Sequence, residues 1–174
     1  MKEIAFSELN LNPANLFGQD WMLLTAGNET DGYNTMTVAW GHMGAIWSLP
    51  GRKGYLPTVT AFVRPQRYTK EFVDREELFT LCAFDEAHRP ALSYLGSHSG
   101  RDGDKVAQTD LTPVFANGTV HFEQAKLVLV CRKLYRAPLT EEGFLDPALV
   151  ERNYPERDFH DMYIGEVVKV LVKE

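Results

Sequence analysis

Apolar positions along the chain recur far more often with the period of strands than with that of helices. Trp21 to Ala26 is a short apolar run ended by Gly27-Asn28. Met36 to Trp40 alternates large and small residues after the turn-rich stretch Asn28-Glu29-Thr30-Asp31-Gly32. The pattern predicts two strands and a turn. Thr58 to Val63 is β-branched and aromatic and stops at Arg64-Pro65, and Leu78 to Phe84 is similar, so both read as strands. Between them Thr69-Lys70-Glu71-Phe72-Val73 has apolar residues at helical spacing behind an expected N-cap threonine. Glu86 to Leu95 is a second short helix, with Pro90 in its first turn. Asn117-Gly118 is a hairpin signal, followed by the long run Thr119 to Arg136. Met162 to Val172 is a further valine-rich strand.

At least six strands with few helices and no βαβ rhythm favour an antiparallel barrel over a doubly wound sheet. The 174 residues fit a single domain, 1–174, with no internal repeat and no linker. Ser48 to Pro57 and Ser97 to Asp104 read as loops on that body.

Composition narrows the chemistry. Hydrophobic residues at 44% and charged residues at 24% belong to a globular protein. The net charge of -6 provides no overall field toward nucleic acid or an anionic membrane, and neither is expected as a partner. Cys82 and Cys131 lie in apolar runs and read as buried hydrophobes, not as a disulfide. The first ten residues carry acids and no signal-peptide stretch, and no uncharged run reaches membrane-spanning length, which leads to the expectation of a cytoplasmic protein.

Several familiar sites are absent. There is no G-x-G-x-x-G after a strand and no Walker-type loop. Gly96-Ser97-His98-Ser99-Gly100 has the frame of a nucleophile elbow, but His98 stands where the serine is needed. His42, His88, His98, His121 and His160 are scattered without metal-ligand spacing, so no metal is expected. Three polar clusters remain: Tyr33 to Thr37, Arg64 to Thr69, and Ser97 to Lys105. The second places two guanidiniums and two hydroxyls where a strand turns into a helix, a combination suited to a phosphate. Solvated loop charges are the alternative reading of Arg64 and Arg67, and the pattern alone leaves both open.

These residues carry a resemblance. Thr25-Ala26-Gly27, Tyr33-Asn34-Thr35-Met36-Thr37, Trp40-Gly41, Ile46-Trp47, Val63-Arg64-Pro65-Gln66-Arg67-Tyr68-Thr69, Phe79-Thr80-Leu81, Ser99-Gly100-Arg101-Asp102-Gly103-Asp104-Lys105 and Met162-Tyr163-Ile164-Gly165-Glu166-Val167 follow one another through nearly the whole chain. Together they resemble the flavin reductase-like family, and most of all its flavoredoxin branch. The resemblance implies a mainly β, FMN-binding split β-barrel with Greek-key topology and a few short helices. It also implies a homodimer with one FMN per subunit. By the same resemblance Asn34, Thr35, Met36 and Thr37 run along the isoalloxazine, with backbone groups and hydroxyls reaching its polar edge and core packing as the alternative for Met36. Arg64, Arg67, Tyr68 and Thr69 hold the phosphate, and Ser99 and Lys105 belong to the loop that adds charge. Trp40 and Trp47 pack either beside the flavin or in the core or interface.

One segment departs from the branch: Ser48 to Pro57 inserts Leu49-Pro50-Gly51-Arg52-Lys53-Gly54-Tyr55, whose Arg52 and Lys53 are expected to be solvated. The implied function is an FMN-dependent oxidoreductase taking electrons from a reduced nicotinamide or a protein donor. The alternatives are a non-catalytic electron carrier or flavin-storage module and, more distantly, a barrel that has lost its ligand. No acid or base is required, because the cofactor carries the chemistry, and His160 is a secondary candidate for the substrate side.

Overall fold

A computed structural model describes residues 1–174. Ten strands are present: β1 (Lys2–Ile4), β2 (Met22–Asn28), β3 (Gly32–Val38), β4 (Gly41–Ile46), β5 (Leu56–Val63), β6 (Leu78–Ala83), β7 (Pro113–Ala116), β8 (Thr119–Phe122), β9 (Leu127–Pro138) and β10 (Asp161–Val172). Four short helices accompany them: α1 (Pro13–Asn15), α2 (Thr69–Arg75), α3 (Arg89–Ser97) and α4 (Pro147–Asn153). No helix is long and apolar enough to cross a membrane.

The main sheet is antiparallel, in the order β3-β2-β6-β9-β10-β5-β4, with β1 added to the free stretch of β10. Turn chemistry sets the β2–β3 register: Asn28 Oδ1 accepts from Thr30 N at 2.9 Å and from Asp31 N at 2.8 Å, which closes the turn and places Asn34 opposite Ala26. β7 and β8 form a separate hairpin around Asn117 and Gly118 at φ 56° and 72°, the left-handed pair such a turn demands. The long run after Gly118 is therefore two strands, because Glu123 to Lys126 turns between β8 and β9.

Alternation gives the sheet two apolar faces. Inside the curl lie Met22, Leu24, Met36, Val59, Phe79, Leu129 and Tyr163, part of a cluster of 21 buried residues. A cluster of 12, including Leu23, Cys82, Leu92, Leu95 and Phe122, fills the space between the outer face, α3 and the β7–β8 hairpin. β10 is kinked by register shifts at Ile164/Gly165 and Val167/Lys169. A Cβ at Gly165 would stand 2.7 Å from the Phe79 ring, so the bend depends on glycine.

Two readings from the sequence change. Thr69 does not cap α2; Tyr68 precedes the helix, and Arg64 O, Arg67 O and Tyr68 O already bond the amides of Arg67, Lys70 and Glu71. Arg52 is ion-paired as well as solvated: its side chain is 50% exposed, and its guanidinium binds Glu166, which also takes Arg132 Nη2 at 2.6 Å and is 2% exposed. The inserted loop is thereby strapped to β10.

Candidate functional site

β3 leaves the β2–β3 turn with Tyr33, Thr35 and Thr37 facing outward and Asn34 and Met36 facing inward. Asn34 Nδ2 donates to Thr69 Oγ1 at 2.8 Å and so joins β3 to the first turn of α2. Gly100 lies over this pair, where a Cβ would come within 2.3 Å of Asn34 Oδ1. Beside it the Arg101 guanidinium stacks 4.7 Å above the Tyr68 ring. Asn34, Tyr68, Phe72, Gly100 and Lys105 line a polar cleft of about 400 Å³.

Lys105 is the unusual group in this cleft. It is 6% exposed, and its ammonium is held by Leu95 O at 2.8 Å and His98 O at 2.9 Å, at the end of α3, with no carboxylate in the bonding set. Burial, reinforced by the nearby charge of Arg67, pushes its pKa down to about 8. Arg67 is exposed, and its guanidinium donates to Gly96 O at 3.0 Å. It too lacks an acidic partner within 4 Å. Asp31 and Asp104 line the same cleft, but neither carboxylate comes within 4 Å of the Lys105 ammonium, so both cations remain free to pair with an anion.

At its far end β3 leads to Ala39, Trp40 and Gly41, which with Phe17, His42, Phe62, Phe144 and Tyr154 line a second, largely apolar cleft of about 420 Å³. The segment 139–160, which includes α4, forms one wall. Its Tyr154 hydroxyl meets His160 Nδ1 at 2.8 Å, and Trp40 packs 4.8 Å from the His160 ring. Burial, then the charge of Arg64, pushes the His160 pKa down to about 4, with a smaller push from Arg67. Arg67 is thus felt at both clefts, by Lys105 on one side and His160 on the other.

The expected site residues divide accordingly. Asn34, Tyr68, Thr69 and Lys105 come together at the polar cleft, Ser99 lines the adjoining surface beside Lys105, and Arg67 lines neither cleft but reaches Gly96 O near the end of α3. Arg64 turns away, to Asp158 and to Asn153 O at 2.8 Å. Thr35 bonds Thr25 across the β2–β3 pair at 2.8 Å, Met36 packs in the inner core, and the Thr37 hydroxyl binds Leu92 O of α3. These three hold β3 in place, so of Asn34 to Thr37 only Asn34 lines the cleft, beside Tyr33. Sequence reading did not identify Tyr154, Phe144, Phe62 or Asp158. The aromatic density of residues 144–160 was the available signal.

The family model described as "Flavin reductase like domain" matches residues 53–174. No curated protein matches the sequence. Among solved structures, the flavoredoxin of Desulfovibrio vulgaris (Miyazaki F) is 20% identical with a TM-score of 0.65, covering 100% of this chain and 78% of its own. An FMN-binding protein from Thermus thermophilus with bound p-hydroxybenzaldehyde is 18% identical, TM-score 0.64, covering 100% and 83%. The styrene monooxygenase flavin reductase from Pseudomonas putida S12 is 16% identical, TM-score 0.61, covering 89% and 80%. At these identities the likeness is one of fold: a mainly β split barrel.

Proposed function

This chain belongs to the flavin reductase like family, and on that premise we propose that it is an FMN-binding oxidoreductase on the flavoredoxin side of the family. In this reading it moves electrons from a reduced nicotinamide or a protein donor to flavin or another acceptor. The observation that carries the reading is the pairing of two counter-ion-free cations, Arg67 and Lys105, with an aromatic-walled cleft at the other end of the same strand. The rise of an extended strand separates Asn34 from Trp40 by up to about 20 Å, room for a long ligand with a charged end and a flat apolar end.

The donor set fits FMN. Lys105 and Arg67 would hold the phosphate, with Thr69 and Tyr68 offering hydroxyls beside them. Trp40, Phe62 and Tyr154 would wall the ring and exclude water. Bound FMN would supply the two-electron chemistry, and the chain's own task is to bind, orient and shield. His160 stays neutral near pH 7, with its Nδ1 hydrogen-bonded to the Tyr154 hydroxyl. For the homodimer, the exposed residues Ile46, Trp47, Leu49, Tyr55 and Tyr135 offer an apolar face to a second copy.

The test is a visible spectrum of the purified protein with FMN, followed by anaerobic NADH and NADPH. Bound flavin that a nicotinamide bleaches supports the reductase, and bound flavin that neither bleaches makes the protein a carrier. Failure to bind any flavin overturns the reading.

A further inference from the structure

Arg64 is the arginine of the Arg-Pro-Gln-Arg segment that already has a carboxylate. Asp158 Oδ2 takes the Arg64 guanidinium and, at 2.7 Å, the Gln66 amide, although Arg64 and Asp158 are 94 positions apart in sequence. Two donors converge on one oxygen as they would on a phosphoryl oxygen. The other oxygen, Oδ1, is buried with no hydrogen-bond partner. That oxygen is an unused acceptor, so half of the carboxylate's hydrogen-bonding capacity is left over. The pair is also open to water, with side chains 26% and 21% exposed, so an incoming solute can reach it. The chain delivering Asp158 passes through Arg157 at φ 54°, a left-handed conformation that a non-glycine residue adopts only when its surroundings impose it.

We propose that Asp158 is an internal competitor for Arg64: its carboxylate holds the Arg64 guanidinium and the Gln66 amide away from the anion site of Arg67 and Lys105 until a phosphate bound there draws Arg64, three residues from Arg67, off Asp158. This rests on the FMN reading above and adds to it a residue that sets the preference for phosphorylated over unphosphorylated ligands. The exchange is one of partners only, with no bond made or broken. It also links the two clefts. Arg64 stacks 5.2 Å from the Tyr154 ring and binds Asn153 O, both on the wall of the apolar cleft, so releasing Asp158 loosens that wall where a ring would enter.

The experiment compares FMN, riboflavin and inorganic pyrophosphate binding to the full chain, the wild type beside D158N and D158E, with circular dichroism confirming that each variant is folded. D158N is expected to bind FMN and pyrophosphate about tenfold more tightly, the scale of one charge-assisted hydrogen bond, with riboflavin unchanged. D158E, which keeps the charge, should stay near the wild type. FMN binding to D158N that is no tighter than to the wild type overturns the competition and leaves the FMN reading standing. If no flavin binds the wild type, the FMN reading fails, and pyrophosphate decides the competition alone. If D158N does not fold, D158E decides it together with wild-type chloride dependence. Weaker FMN binding by D158E, or FMN affinity indifferent to chloride, then overturns it.

Discussion

Tyr163 donates its buried hydroxyl to Asp74 across 2.6 Å, joining the start of the last strand to the far end of the helix whose first turn carries Thr69. The same carboxylate takes Lys70 at 2.7 Å, and Lys70 bridges onward to Asp161 at 2.9 Å. Arg136 closes the network with Asp161 at 2.7 Å. α2 is therefore fixed to the barrel by charge-assisted bonds along its length, and the Arg67-Tyr68-Thr69 corner is held at its start.

Tyr163→Phe removes this bond without leaving Asp74 unpaired. The expected cost is about 1 kcal/mol, read as a lowered urea midpoint at unchanged slope. An unchanged midpoint would show that the bond adds nothing beyond the packing of the ring. Because burial and the Asp74 carboxylate hold the phenol far above its ordinary range, Tyr163 should also remain un-ionised in an alkaline ultraviolet titration until the protein unfolds.

Lys105 gives a pH signature. With its pKa at about 8 in the fold and near 10.4 in the unfolded chain, the unfolded state binds more protons between those values. Stability should therefore rise with pH across about 8 to 10, while affinity for a phosphate falls as the ammonium is lost above 8. Flavin titrations from pH 7 to 9.5 should show FMN weakening by up to about tenfold per pH unit above 8, with riboflavin flat. Lys105→Met should remove the slope, and a slope that persists in that variant assigns it to another group.

His160 acts at the other end of the scale. Its pKa of about 4 lies below the unfolded value near 6.5, so the stability it contributes is complete above 6.5 and is lost as pH falls toward 4. The difference amounts to about 3 kcal/mol. Melting temperatures of wild type and His160→Gln should diverge at pH 7 and converge near pH 4; parallel curves would exclude His160 as the source of acid sensitivity.

Glu166 holds the inserted loop. Glu166→Gln weakens its attraction for Arg52 and should expose the Arg52-Lys53 bonds to trypsin several-fold faster than in the wild type, with global stability lowered by about 1–2 kcal/mol. Equal cleavage rates would mean that Trp47 and its packing 6.2 Å from Tyr135 retain the loop without the ion pair.

These features differ in how far the sequence exposes them. The β2–β3 and β7–β8 turns were legible because Asn28 and Asn117-Gly118 act within a few residues of themselves. The polar cleft was legible as motifs, since Asn34, Thr69 and Lys105 each sit in a distinctive string. β4 was not: Gly41–Ile46 is an edge strand with mixed exposure and two glycines, and alternation is weak there. Nor were the partners of Arg64 and Arg52, which lie 94 and 114 positions away and belong to stretches with no local pattern of their own. Along Asn34 to Thr37 the period of two that the strand imposes sends alternate side chains to opposite faces, so any contact from the other positions to a ligand on the Asn34 side would come from the backbone.

The place of β10 bears on how the molecule is made. It is the last strand in the chain, yet it lies between β9 and β5, so it alone joins the sheet half containing β2, β3, β6 and β9 to the β4–β5 hairpin. A ribosome releases residues 161–172 after β1 to β9. Until they emerge, the hairpin bearing Trp47 has no partner, and Tyr163 is not there to anchor α2. The nascent chain must carry an unclosed barrel with open strand edges through most of its synthesis, so the final segment governs both when the fold becomes cooperative and how long those edges are exposed to other chains.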